Sequence, residues 1–516
     1  MPDSNRRAAV LMVQGTSSHA GKSTLVAALC RIFARAGHRV APFKAQNMSN
    51  NAAVTDDGGE VGRAQAMQAA AAGIAVTVDM NPILLKPQSD RTSQIVVLGK
   101  ARDKRDAREY YDRTTELWPI VTGALDRLRD SYDLIVIEGA GSPAEINLER
   151  YDIVNMRVAR YANAPVLLVG DIERGGVFAS LFGTIALLPE SDQALIRGFI
   201  INKFRGDPSL LDPGFEALLE KTGVPTLGVL PYLDLSRLPA EDAVDWDESA
   251  RKTDEETLID VAIMRLPRIA NLDEFQPLAA EPGVRVRWIA DAGALGNPDL
   301  IIVPGTKSTM ADLAWLRERS LDVAIRERRA FDTPILGICG GFQMLGSRLT
   351  DDAQAESEGT VDGLDLLPVT THFEHDKVTR RVKALLATNV ELWSSPSIDE
   401  ALDAYEIHMG RTTLDDADDS MRRVFSVSDG GDSHADGSAT PDGIVVGTYL
   451  HGLFENTAFR RAVLTGLARR KAIELPASAP IQTIEEAFDE LADVVERELD
   501  MTAIVAMVGL SLGTAR

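Results

Sequence analysis

Two cysteines in 516 residues cannot build a disulfide framework, and their scarcity points to a reducing compartment. Long apolar runs are missing too: no stretch approaches the roughly 18 residues a membrane span needs. The opening MPDSNRRAAV lacks a secretory apolar core, so the expected location is cytoplasmic, with no membrane partner. Basic charge is short, with 54 lysines and arginines against 77 aspartates and glutamates, a formal net charge of −23. Nothing offers a basic face to a phosphate backbone, so no nucleic-acid partner is expected. Much of the acidic excess is local, at residues 241–260, 415–436 and 485–500, and reads as solvated surface. With only seven histidines, the search for a catalytic base is short. No repeat of fixed period runs through the chain.

What is present is ordinary globular composition, 45% hydrophobic and 25% charged, over a length that suggests about two to four domains. The first part alternates short apolar strands with amphipathic helices, the pattern of a parallel α/β sheet. Strands are expected at Val10–Val13, Arg39–Phe43, Leu134–Ile137, Pro165–Val169, Gly198–Asn202 and Thr226–Leu230. A second α/β series is expected at Leu258–Leu266, Arg285–Ile289, Leu300–Val303, Pro334–Ile338, Leu367–Thr371, Val378–Val382 and Ile444–Tyr449. The boundaries that follow are 1–240 for a P-loop domain, 241–257 for an acidic linker, 258–475 for the second domain and 476–516 for a helical tail. Ile484–Leu499 has helical spacing and is expected to pack back on the body. The Gly/Asp/Ser-rich stretch Asp429–Gly443 reads as a flexible surface loop.

The most informative segment is GICGGFQMLG, Gly337–Gly346. It sets Cys339 between a short buried strand and a helix start, on a glycine-flanked elbow. Helix-start amides there can stabilise a thiolate and an oxyanion, as an acyl-transferring cysteine requires. A second signal is GTSSHAGKST, Gly15–Thr24, between an apolar strand and the helical pattern Leu25–Ala36. Strand, glycine-bounded loop and helix is the arrangement in which backbone amides cradle phosphates. Gly15, Thr16, Gly21, Lys22, Ser23 and Thr24 form the nucleotide set, with Lys22 reaching the β/γ-phosphates and Ser23 holding magnesium. Thr16 stands where the usual first glycine would be.

DLIVIEGAG, Asp133–Gly141, ends a strand on Glu138, the expected magnesium partner. Lys44, in APFKAQNMSNN, would point into the same cleft, although a strand-end lysine is as readily solvated. For the cysteine's base, His451 in GTYLHGLFEN is favoured. His408 in YEIHMG competes, and His372 and His375 are weaker. Cys–His pairs meet in space rather than in sequence, so spacing alone does not decide.

GICGGFQMLG with YLHGLFEN resembles the class I glutamine amidotransferases, in which a cysteine attacks the glutamine carboxamide and releases ammonia. GTSSHAGKST, PFKAQNMSNN, GRAQAMQA, NPILLKP, EGAGSPAEINL, DIVNM, GDIERGGVFAS and INKFRGD together resemble the cobyric acid synthase family, from about residue 9 to about 470. The resemblance implies an α/β fold of two domains: a dethiobiotin-synthetase-like parallel sheet with a P-loop, and a class I glutamine amidotransferase-like domain. It implies ATP- and glutamine-dependent amidation of the b, d, e and g carboxylates of adenosylcobyrinic acid a,c-diamide, giving adenosylcobyric acid in cobalamin biosynthesis. ATP, Mg²⁺, L-glutamine and the corrinoid are the implied ligands, and a homo-oligomer stays open. Carried onto this chain, Cys339 is the nucleophile, His451 its base, and the amides of Gly305 and Gly340 the oxyanion hole. Lys22, Ser23 and Glu138 serve ATP and magnesium, and Asp152 is an acid beside an acyl-phosphate intermediate. Class I enzymes commonly carry a glutamate two residues after the histidine. Here that position is Leu453, so a Cys–His dyad is expected, with Glu406 a guess for what orients the imidazole.

Two other readings stand beside this one. Cobyrinic acid a,c-diamide synthase shares the architecture. A ParA/MinD-like ATP switch with a degenerate regulatory domain would bind ATP and amidate nothing.

Overall fold

Ala9–Gly15 is an almost wholly buried strand, and it becomes the middle of a sheet because its apolar residues must be covered on both faces. In the computed structural model, residues 7–88, 92–106, 114–233, 238, 257–387, 392–415, 423–477 and 483–512 are described. The first sheet runs Thr226–Pro231, Ile196–Phe204, Val166–Asp171, Ala9–Gly15, Leu134–Glu138, Val40–Phe43, every pairing parallel. Apolar clusters cover both faces: Val121, Leu125, Val158 and Leu181 on one, and Leu25, Leu29 and Phe33 of the helix Lys22–Arg35 on the other. The six expected strands are all present here, each within a few residues of its expected bounds.

The second sheet runs Val284–Ile289, Ile259–Met264, Leu300–Val303, Ile335–Ile338, Val445–Thr448, with the short Ser438–Ala439 antiparallel at its edge. Beside it lies a mostly antiparallel sheet built on the long pair Val369–Leu386 and Leu402–Leu414. The strands expected at Leu367–Thr371 and Val378–Val382 are one strand there. Its register slips between Phe373 and Val378, so a bulge absorbs the polar residues that read as a break.

Asp429–Gly443 departs from its expectation. It holds the strand Ser433–Asp436 and the edge strand Ser438–Ala439, with Asp436 and Ser438 buried. Thr448 Oγ1 donates to the Asp436 carboxylate, and so does Tyr449 N at 3.2 Å. Composition flagged these polar residues as loop; the Asp436 carboxylate finds its donors inside the sheet instead.

The helix Ile484–Glu498 opens with a Thr483–Glu486 capping box. It lays Phe488, Leu491 and Val495 into the cluster that also covers the helix Lys22–Arg35, and Arg31 holds Asp489 at 2.8 Å. The tail therefore packs on the first domain. Residues 241–256 of the expected linker lie outside the described residues.

A four-stranded sheet of Gln46–Met48, Ile83–Pro87, Thr92–Val97 and Lys100–Asp106 is added to the first domain. It was not expected from the sequence, where its short strands lack clean alternation. This addition and the separate short strand Ala52–Val54 meet the second domain: Ala52, Val54, Leu84 and Val96 form one apolar cluster with Tyr405 and Ile407. Among the described residues, no helix is long and apolar enough to cross a membrane.

Candidate active site

Cys339 lies at the end of strand Ile335–Ile338 and caps the helix Gly340–Leu345. Its φ is +50°, a left-handed conformation that costs energy for a residue with a Cβ and that marks a sharp nucleophile-type turn. Glycines make this turn feasible. A methyl on Gly341 would fall inside the contact distance of Val303 O, and one on Gly340 would lie 2.7 Å from Thr306 Cγ2. A methyl on Gly305 would lie 2.8 Å from His451 Cε1 and 3.6 Å from Cys339 Cβ. The structure thus brings Gly305, Gly340, Cys339 and His451 together.

His451 follows strand Val445–Thr448 and is 1% exposed. Its Nδ1 is 3.1 Å from Glu274 Oε1, while Glu274 Oε2 accepts from Gly452 N at 3.1 Å. A carboxylate only accepts, so Nδ1 carries the proton and Nε2 is left for the Cys339 thiol, which lines the same small cavity and donates to Ile407 O at 3.5 Å. Tyr405 stacks on the imidazole, ring centroids 5.3 Å apart and 15° from parallel. Burial alone would lower the His451 pKa, but Glu274 and the Cys339 sulfur outweigh it and raise it to about 10.

The expectation of a dyad is therefore corrected: the acid is Glu274, on the short helix Leu272–Phe275. Glu406 does not face the imidazole. It pairs with Arg380 and, at 3.1 Å, with His434. His408 lies against Tyr449 with centroids 3.8 Å apart, and burial lowers its pKa to about 4. His372 and His375 are exposed on the long strand. Glu274 was missed because its neighbours ANLDEF carry no motif and it lies 177 residues from its partner.

At the other site, Lys22 opens the helix after the loop, with Gly21 at φ +94°. A methyl on Gly21 would lie 2.0 Å from Asn202 Nδ2, and one on Gly15 would lie 3.1 Å from Lys22 Nζ. The loop is thus closed by glycines and by Asn202, which donates to Ala20 O at 2.9 Å. Lys22 Nζ donates to Ser17 O at 2.9 Å and to Gly141 O at 3.3 Å, within the same loop cluster. Thr16 N donates to Val169 O, extending the sheet, and Thr24 lines the cavity above with Gly21 and Ser23.

Glu138 is fully buried, and Ser23 Oγ at 2.9 Å, Lys44 Nζ at 2.7 Å and Gln68 Nε2 are among its donors. Lys44 is thus a buried member of the site, 5% exposed. Asp152 also borders the cavity, but its carboxylate accepts from Val154 N, Asn155 N and Arg157 N at 2.7–3.0 Å. The cavity measures about 690 Å³. Exposed Met48, Ile146 and Leu187 stand on its rim, an apolar border to a polar floor.

A loop with glycines at its contact points, an amine inside it and a hydroxyl–carboxylate pair suits a nucleotide triphosphate with a hard divalent cation. Among the described residues, no group of three or more His, Cys, Asp or Glu side chains could hold a metal ion by itself. Phosphate and water oxygens would therefore complete the shell around Ser23 and Glu138.

The chain is similar to known proteins in both of its parts. Residues 11–244 match the CobQ/CobB/MinD/ParA nucleotide binding domain, and residues 260–459 match the CobB/CobQ-like glutamine amidotransferase domain. A Dehalococcoides mccartyi (strain CBDB1) protein named cobyric acid synthase is 48% identical over 97% of this chain and 99% of its own. One from Sorangium cellulosum is 48% identical over 98% and 99%, and one from Klebsiella pneumoniae 45% over 96% and 98%. A solved structure of PurLQS from Thermotoga maritima aligns with 42% of this chain and 99% of its own, at TM-score 0.32 and 16% identity.

Proposed function

Since this chain belongs to the cobyric acid synthase family, and so is a glutamine-hydrolysing ligase, we propose that it amidates the b, d, e and g carboxylates of adenosylcobyrinic acid a,c-diamide. The observation that carries this reading is the pairing of two sites in one chain: Cys339–His451–Glu274 in one domain and a loop holding Lys22, Ser23 and Glu138 in the other. A switch protein of the ParA/MinD type needs only the second.

At the first site, His451 takes the Cys339 proton and the sulfur attacks the glutamine carboxamide carbon. The amides of Gly305 and Gly340 would receive the oxyanion. The imidazolium, favoured by Glu274, delivers its proton to the departing ammonia, and water then releases glutamate from the thioester. Tyr405 and Glu274 fix the ring so that Nε2 keeps its aim.

At the second site a carboxylate, a poor electrophile, becomes an acyl phosphate by accepting the γ-phosphoryl of ATP, and ammonia displaces phosphate. Lys22 would offset charge on the transferred group, and Ser23 and Glu138 would hold Mg²⁺. Bound Mg²⁺ supplies charge neutralisation at the phosphate oxygens. Lys44 and Gln68 fix Glu138, and Asp152, held by three amides, is the proposed acid beside the acyl phosphate. The roomy cavity with its apolar rim fits a macrocycle better than a nucleotide alone.

Mass spectrometry after incubation with the corrinoid, ATP, magnesium and glutamine tests the reading. Four successive single-amidation mass shifts support it. No shift on the a,c-diamide, with amidation of unamidated cobyrinic acid instead, would place the chain at the earlier a,c-diamide step.

A further inference from the structure

The cavity beside Cys339 and His451 is small, about 40 Å³, and three lysines line it: Lys307, Lys377 and Lys86. Lys307 and Lys377 belong to the cysteine's own domain. Lys86 comes from the strand Ile83–Pro87 of the nucleotide domain and is 3% exposed. It reaches the wall of the other domain's site across the seam. Glu60, also from the nucleotide domain, holds Lys86 at 2.5 Å, and its second oxygen accepts from Lys377.

The charges do not balance. Two carboxylates, Glu60 and, on the cavity wall, Glu356, face three lysine side chains. Burial, with repulsion from neighbouring lysines, lowers Lys307 and brings Lys377 down to about 8. Glu60 already has Lys377 as a counter-charge, so pinning Glu60 does not by itself call for a second lysine. An anion arriving in the cavity would complete the set.

Glutamine has one anionic group. Resting on the proposed glutaminase reading of this site, we propose that Lys86 binds the α-carboxylate of glutamine together with Lys307, so that the glutamine pocket is complete only when the nucleotide domain is docked. Glu356 is then placed for the α-ammonium and Cys339 for the carboxamide. Lys86 is in this account a specificity-determining residue supplied by the other domain. Glutamine's entry requires the wall to give, and lysine stems are the parts of it able to move.

The test compares glutamine with 4-aminobutanamide, which is glutamine without its α-carboxylate, on the full-length enzyme and on Lys86→Met and Lys86→Arg. Lys86→Met should raise KM for glutamine between about tenfold and a hundredfold, the range of a hydrogen bond to a charged group, with a smaller change in kcat. The preference for glutamine over 4-aminobutanamide should shrink by a similar factor in Lys86→Met and largely survive in Lys86→Arg. Because that preference is a ratio within one preparation, an incompletely folded fraction cancels. Where turnover is too slow, calorimetric binding of the two ligands to Cys339→Ala, with and without Lys86→Met, reads the same ratio. An equal loss for both ligands, or no loss, overturns the role of Lys86. Glutamine hydrolysis that persists in Cys339→Ala would instead overturn the glutaminase reading beneath it.

Discussion

Glu274 settles how the imidazole of His451 is held. The buried carboxylate fixes the tautomer and favours the imidazolium. Replacing it by glutamine should cut glutamine hydrolysis by about a hundredfold or more, as loss of the orienting acid does in related triads. Its removal lowers the His451 pKa, so the group that protonates ammonia loses its proton at lower pH. The alkaline limb of the kcat/KM profile should then move down in Glu274→Gln, and an unmoved limb would show that the acid only packs. The same shift links to stability. His451 stabilises the fold fully below the unfolded histidine value of about 6.5, and that contribution is lost as pH rises through about 10. Leu453 is 1% exposed beside a histidine already served by Glu274. Leu453→Glu should not raise the basal glutaminase rate, and burying an unpaired carboxylate there should cost several kcal/mol in thermal unfolding.

One short helix, Arg63–Ala71, touches both sites. At its start Arg63 pairs with Asp273 at 2.6 Å, next to Glu274 in sequence, and with Glu455 at 2.5 Å. Further along, Gln68 donates to Glu138. The Asp273 side chain is 2% exposed and Glu455 45%, so the Asp273 bond matters and the other is largely screened. Arg63→Met leaves Asp273 buried without its partner, a loss of about 3–5 kcal/mol where both groups are desolvated. The expected outcome is at least a tenfold fall in glutamine-dependent synthesis with a smaller fall when ammonium salts supply nitrogen at raised pH. Equal falls would mean that the whole chain, not the seam, has been damaged.

Across the whole molecule the two sites should separate by nitrogen source. Cys339→Ala should abolish synthesis with glutamine and spare it with high ammonia, because the elbow and the P-loop belong to different sheets. Lys22→Ala and Glu138→Gln should lose synthesis with either source, since both act before ammonia is used. Near-normal ammonia-dependent product from Lys22→Ala or Glu138→Gln would remove that residue from the ATP site. Alkylation offers a check on the cysteine. Burial pushes the Cys30 thiol well up, within the helix Lys22–Arg35, so iodoacetamide should modify Cys339 first, and glutamine should protect it.

The sequence by itself determined the two parallel sheets and the turns at their strand ends. Strand, glycine loop and helix are local patterns, written in contiguous residues such as Val10–Thr24 and Pro334–Leu345. That locality makes the P-loop and the cysteine elbow legible in the sequence. Tertiary structure alone decided what meets those turns. Glu274 reaches His451 from a segment without a motif, and Glu138 gathers Lys44 and Gln68 from two others. Lys86 crosses from one domain to the other domain's cavity, and Glu60 crosses to pair with Lys377 on its wall. Such partners are set by how sheets dock, and docking leaves no period in a single sequence. The segment Asp429–Gly443 shows the same limit from the other side: its composition is that of a loop, and only pairing with Phe425–Ser428 and Val445–Thr448 makes strands of it.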